Sequence, residues 1–150
     1  MCIRDSARAV RAYWVSVEHD FSAPVGRVFG HLSEHENLEV FGAKVERIED
    51  GRGQRNGVGS RRRLRIGSLA PFEETVTQFV PDELIEYAIT KGTPLRDHVG
   101  IMRFTSLPGG GTHLQYRIRV ASPVPGLPPL IKAVLQRNLT AGLAKVDGRV

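Results

Sequence analysis

"GVGSRRRLRIGSLAPFEETVTQFV", residues 57–80, puts four arginines into the five positions 61–65 and then runs on into a second apolar-rich stretch. Its reading decides whether the basic run is a grip for nucleic acid or the wet side of a strand. Taken as an antiparallel hairpin with Leu64 opposite Phe72, it also sets Arg62 against Glu74, Ser60 against Val76 and Val58 against Gln78, all on one side. Pleating sends alternate side chains to opposite faces, so Arg61, Arg63 and Arg65 reach solvent while Arg62 points inward with Leu64 and Ile66. A buried guanidinium costs several kcal/mol unless it is paired, and Glu74 is the partner this register supplies. Two roles are open to the pair: an ion pair that fixes the hairpin, or a polar anchor for a ligand carbonyl or carboxylate. The first takes precedence, because structural ion pairs perturb carboxylates as readily as active sites do.

The pattern extends in both directions. Upstream, Tyr13 to Phe21 alternates as a strand. "SAPVGRVFGHL" carries a cap at Ser22, a proline suited to a first turn at Pro24, and Val25, Val28, Phe29 and Leu32 at helical spacing. That helix ends near Ser33. "EHENLEVFGA" reads as a second short helix or a loop, and "KVERIED" as a strand before the glycine-rich turn "GRGQRNG". Downstream, the turn "VPDE" brings Val76 opposite Tyr87, with Ile85 and Ile89 on the same face. His98, Gly100, Met102 and Phe104 then alternate with Asp97, Val99, Ile101 and Arg103. Both sets contain apolar residues, so alternation alone leaves the phase of that strand open. After "PGGG", Leu114, Tyr116, Ile118 and Val120 form one face of a last strand. The proline-rich "SPVPGLPP" launches a long helix whose stripe comprises Leu127, Leu130, Ile131, Val134, Leu135, Leu139, Leu143 and Val146. Asn138 and Gly142 fall near the stripe, and a glycine there would permit close approach of a ligand or backbone.

A chain of 150 residues fits one ordinary domain, able to bury about two-thirds of its unfolded surface. Its 41% hydrophobic residues exclude a disordered polymer. The opening "MCIRDS" resembles a translated cloning remnant, so residues 1–12 are expected to be a disordered or non-native tail and 13–150 a single domain. Cys2 is the one cysteine, which forbids an internal disulfide and suits a reducing cytoplasm. Neither a membrane span nor a secretory signal is legible. The net charge of +5 and pI near 9.9 admit attraction to nucleic acid or acidic membranes.

One strand, two short helices, a string of hairpins and a closing helix resemble the helix-grip fold of the START-related SRPBCC superfamily. The run from "FSAPVGRVFGHL" through "GVGSRRRLRIG", "FEETVTQFVPDELIEYAITKGTPLRDHVGIMRFT" and "GGGTHLQY" to the last helix is similar to its polyketide cyclase/dehydrase branch, over roughly Tyr13 to Val146. Ala23 and Pro24 match the Ala-Pro that opens the first helix in that family. Gly57, Gly59 and Arg62 match its Gly-x-Gly-x-x-Arg strand, Glu74 the glutamate that follows, and Tyr87 the tyrosine closing the next strand. The resemblance implies an α+β domain in which a curved antiparallel sheet of about seven strands wraps a long C-terminal helix. It also implies a hydrophobic cavity between sheet and helix for a lipid, polyketide, sterol or other aromatic compound. Catalysis does not follow, since many relatives only bind or carry.

On this reading Arg62, Glu74, Tyr87, His98 and Tyr116 are polar fixtures in a lining of Leu64, Phe72, Val76, Ile89, Phe104, Leu114, Ile118, Val134, Leu135 and Leu139. His19 is a further candidate. A cyclase or dehydratase would use Glu74 or His98 as base and Tyr87 as donor to an enolate oxygen, with no metal or cofactor. "HLSEH", residues 31–35, formally matches an inverted zinc-protease pattern, but the helix ends inside it and no third ligand follows, so two solvated histidines are expected. "GVG" lacks the third glycine of a dinucleotide loop and "GGGT" lacks the lysine of a phosphate loop. Nucleic-acid binding through Arg61, Arg63 and Arg65, extended by Arg117 and Arg119, ranks below a solvated strand face, because no recognition helix and no interleaved aromatics accompany them. The sequence leaves monomer and homodimer equally open.

Overall fold

A computed structural model describes residues 11–92 and 95–150. The chain runs β1 (Ala12–Phe21), α1 (Val25–Ser33), a 3-10 helix (His35–Phe41), β2 (Lys44–Glu49), β3 (Arg61–Arg65), β4 (Phe72–Val80), β5 (Leu84–Lys91), β6 (Arg96–Ser106), β7 (Thr112–Ala121) and α2 (Leu127–Asp147). The seven strands form one antiparallel sheet in the order β1-β7-β6-β5-β4-β3-β2. Every neighbouring pair except β1–β7 is consecutive in sequence, so the sheet is a meander whose last strand closes back on the first. The α+β helix-grip expectation holds. Ala12, assigned to the tail from sequence, pairs with Ala121; residues 1–10 of that tail, with Cys2, lie outside the described residues.

The β3–β4 register is the one the alternation predicts, with Arg62 opposite Glu74 and Leu64 opposite Phe72. It does not continue to Val58 and Gln78. Gly59, at φ 91°, donates its N–H to the Val76 carbonyl, while the Val76 N–H donates to Ser60, both at 2.9 Å. Two residues therefore face one, a glycine bulge that turns the chain away and leaves Val58 exposed. A second irregularity after Val76 returns Phe79 and Ile85 to one cross-strand pair. In β6 the even-numbered phase faces the core: Gly100, Met102 and Phe104 are buried. His98 sits within a register break between Arg96 and Val99, where Asp97 has φ 51°.

The core lies between the concave face and the helices. Val28, Phe29 and Leu32 of α1 join Phe104 and Phe79, with Phe29 edge-on to both rings. Helix α2 packs across β1, β7 and the 3-10 helix. Its expected stripe is only half buried. Leu139, Leu143 and Val146 are sealed in the core, whereas Leu130 is 62% and Val134 39% exposed.

Candidate functional site

The inward arginine is real. Arg62 and Glu74 are 3% and 6% exposed, and Glu74 Oε1 accepts from Arg62 Nε at 2.9 Å with Nη2 at 2.8 Å. One carboxylate oxygen thus takes both contacts. Glu74 Oε2 and Arg62 Nη1 make no hydrogen bond among the described residues. The guanidinium also lies 4.6 Å over the Tyr87 ring, a cation–π contact strengthened by burial. Tyr87 comes from β5 and Tyr116 from β7, and their buried hydroxyls share a hydrogen bond. Burial, then each other's proximity and Glu74, pushes the Tyr87 hydroxyl well above the usual phenol range; Tyr116 rises chiefly by burial. Both are therefore neutral hydroxyls, one of which has a proton to offer outside the pair.

The two phenols reach each other across β6 because the residue between them is Gly100, opposite Tyr87 on one side and Ile118 on the other. His98 lies 5.9 Å from Tyr87, ring centroid to centroid. Its Nδ1 is buried without a hydrogen-bond partner, and burial lowers its pKa, which favours the neutral imidazole.

Sequence reasoning missed His35. It was expected in solvent and is 1% exposed, its Nε2 3.1 Å from the hydroxyl oxygen of fully buried Ser60. Burial first, then Arg62 and Arg47, lowers its pKa to about 3. A signal existed: Val28, Leu32, His35 and Leu38 continue one stripe at steps of three and four. His31 is half-buried and also shifted down by burial. The two histidines belong to different helices, and no metal-binding group of three or more His, Cys, Asp or Glu occurs among the described residues. His19 bonds Asp147 at 3.0 Å, tying β1 to the end of α2 rather than joining the cluster.

Of the apolar candidates, Val76, Phe104, Leu114, Ile118 and Leu139 are buried; Leu64, Phe72, Ile89 and Leu135 are half-buried, and Val134 is exposed. Gly142 does permit a close approach, but its guest is Phe41 of the 3-10 helix, whose ring fills the place of a Cβ and meets Tyr116 edge-on at 5.8 Å. Two open surface depressions occur, one of about 450 Å³ lined by Glu39, Gly42, Ala43, Lys44, Arg65 and Gly67, the other of about 430 Å³ beside Arg52 and Phe79. Neither is lined by Arg62, Glu74, Tyr87 or His98.

The outer face of β3 differs from a free basic stripe. Glu73, 6% exposed, lies between Arg61 and Arg63, and Glu49 and Glu46 flank them from β2. Arg117 covers the Trp14 ring at 4.2 Å, so the aromatic that does lie among the basic residues has one face occupied. Arg47 gathers Glu34, Glu36, Asp50 and Asn56, stitching the 3-10 helix to the "GRGQRNG" loop. No helix among the described residues is long and apolar enough to cross a membrane.

Comparison with curated proteins finds no match. Among solved structures the chain is similar to the Zhui aromatase/cyclase from a Streptomyces species (20% identity, TM-score 0.75, 93% of each chain). A START superfamily protein from Mycobacterium smegmatis matches at 19% identity and TM-score 0.73, over 91% of this chain and 96% of that one. A Thalictrum flavum norcoclaurine synthase point mutant in complex with a transition state analogue matches at 12% identity and TM-score 0.70, over 94% of each. At these identities the likeness concerns the fold. The family model described as polyketide cyclase/dehydrase and lipid transport matches residues 14–150, and the chain belongs to that family.

Proposed function

We propose that the protein binds a small or medium hydrophobic compound between the sheet and α2, and holds its one or two oxygens with the Arg62, Glu74, Tyr87, Tyr116 and His98 cluster. The observation that carries this reading is unspent polar capacity inside an apolar shell. Glu74 Oε2 and Arg62 Nη1 make no hydrogen bond, and His98 Nδ1 is buried without a partner. A buried polar atom is normally satisfied, so the open His98 Nδ1, together with an Arg62–Glu74 pair that uses only one carboxylate oxygen, suits a carbonyl, hydroxyl or carboxylate arriving from outside. Half-buried Leu64, Phe72, Ile89 and Leu135 offer the apolar body of such a compound its contacts.

Native mass spectrometry of the protein purified from its host, followed by extraction, tests this directly. A co-purifying apolar compound that displaces a bound fluorophore such as anilinonaphthalene sulfonate, and does so less well from His98→Ala and Tyr116→Phe, is the expected result. Absence of both co-purification and fluorophore uptake overturns it.

A second reading, an enzyme of the cyclase or dehydratase type, is favoured by the pairing of a neutral imidazole with a neutral phenol pair. His98 would remove an activated proton and Tyr87 would donate to the enolate oxygen. Glu74 is the less available of the two candidates named from sequence, since Arg62 occupies one of its oxygens. Turnover of poly-β-keto substrates that is unchanged in His98→Ala and Tyr87→Phe removes this reading while leaving binding intact.

A further inference from the structure

Seven large apolar side chains are exposed among the described residues, and four of them, Ile66, Leu69, Val124 and Leu130, lie at one end of the sheet. The ladders fix that end. Ala12, Ala121 and Arg96 are aligned there, as are Lys91 with Glu73, Leu64 with Phe72, and Lys44 with Arg65. The β3–β4 turn and the β7–α2 connector emerge on this side, where β5 ends at Lys91 and β6 begins at Arg96. Leu69 in the first and Leu130 at the start of α2 are the most exposed of the group, at 67% and 62%.

The same end is basic. Lys44, Arg65, Lys91, Arg96 and Lys132 are exposed, and none forms an ion pair among the described residues, whereas Arg47, Arg61, Arg62 and Arg63 are all paired. The acids nearby are exposed Asp97, buried Glu73, which Arg61 and Arg63 engage, and Glu39, whose Oε2 is held by the Val45 N–H at 2.9 Å. Lys44 and Arg65 are moreover directly opposite each other in the β2–β3 ladder. Like charges in that relation repel, and both line the 450 Å³ depression with Gly42 and Gly67.

We propose that this end docks on an anionic phospholipid bilayer, with a headgroup phosphate held between Lys44 and Arg65 and with Leu69 and Leu130 entering the interfacial layer. Two exposed leucines on separate segments, ringed by unpaired cations, match the apolar and electrostatic halves of such a surface. A phosphate between Lys44 and Arg65 would turn their repulsion into two charge-assisted contacts. Docking of this end is independent of ligand binding in the interior, although it would bring the half-buried apolar residues of that interior to the lipid.

Cosedimentation with vesicles of phosphatidylcholine alone, and of phosphatidylcholine mixed with phosphatidylserine, tests the assignment. Binding is expected only to the mixed vesicles and to weaken as salt rises. Lys44→Ala and Arg65→Ala should each reduce it about fivefold, and Leu69→Ser with Leu130→Ser should abolish most of what remains. Val80→Ser and Arg103→Ala, at the opposite end, serve as controls that leave it unchanged. Equal binding to both vesicles, no binding, or equal loss in the controls overturns the proposal. So does full displacement by inorganic phosphate at constant ionic strength, which would make free phosphate the ligand, or a patch variant that merely converts a self-associated species to monomer. Fluorophore displacement without vesicles reads the interior separately, and the four patch substitutions should leave it unaltered.

Discussion

Gly100 lies directly across the β5–β6 ladder from Tyr87, and the Tyr87 ring occupies the volume that a Cβ at Gly100 would need. The glycine is therefore what admits the phenol to its place beside Tyr116. Gly100→Ala should force the ring out of position and destabilise the fold by about 1–3 kcal/mol, the usual cost of overpacking. Urea unfolding measures it. Combined with Tyr87→Ala, the same substitution should cost much less than the sum of the two single changes, since the clash has then been removed.

The Arg62–Glu74 pair makes a prediction of opposite kind. Glu74→Gln leaves a guanidinium buried without its counter-charge, and a loss of about 3–5 kcal/mol is expected. Replacing both by apolar residues, Arg62→Met with Glu74→Leu, should restore most of that stability, because neither partner is then left alone in the core. Should the double variant remain as unstable as the single one, shape rather than charge is what the pair supplies. Ligand uptake by the double variant should nevertheless be lost if the cluster is the binding site.

Which parts were legible depends on where the information resides. The Arg62 side and its partner followed from period-two alternation and simple addition of residue numbers, since both belong to one hairpin with a short connection. Val58 and Gln78 failed because Gly59 inserts a bulge, and a lone glycine in a strand does not announce which way the register will slip. The solvated-histidine reading of His35 failed because its environment is made by residues far along the chain: Ser60, Arg62 and Arg47 surround it only once β2 and β3 are in place. Val134 was placed on the correct helix, but which of that helix's apolar residues the sheet covers is a property of packing that no periodicity encodes.

Gly142 and Phe41 illustrate the same limit and yield a test. A methyl at 142 would collide with the Phe41 ring and approach the Val40 carbonyl. Gly142→Ala should therefore destabilise the protein even though alanine is the better helix former by about 1 kcal/mol. Phe41→Leu in the same chain should recover part of the loss. Thermal unfolding of the parent and the two variants decides the matter, and a Gly142→Ala protein more stable than the parent would show that the 3-10 helix moves freely away from α2.

His35 gives the last prediction, a pH dependence with a definite sign. Its pKa falls from 6.5 to about 3 on burial, so below pH 6.5 the unfolded chain binds a proton that the folded one refuses. Folding stability from this group is fully present above pH 6.5 and declines as the pH drops toward 3, with a limiting slope of about 1.4 kcal/mol per pH unit. Glu36 acts lower down. Arg47 holds its pKa at about 2, and its contribution fades only between 4.5 and that value. The two are therefore separable between pH 5 and 6.5, where His98 and His31, both lowered by burial, add in the same direction. Half-buried His113 opposes them, since Asp20 and then Glu18 raise its pKa, and it stabilises most at low pH. Denaturant unfolding of His35→Gln, which keeps a polar partner for Ser60, should show a shallower decline than the parent across pH 5 to 6.5. Identical slopes would mean that His35 is charged in the folded protein or reached by water, and that the buried His35–Ser60 contact does not persist in solution.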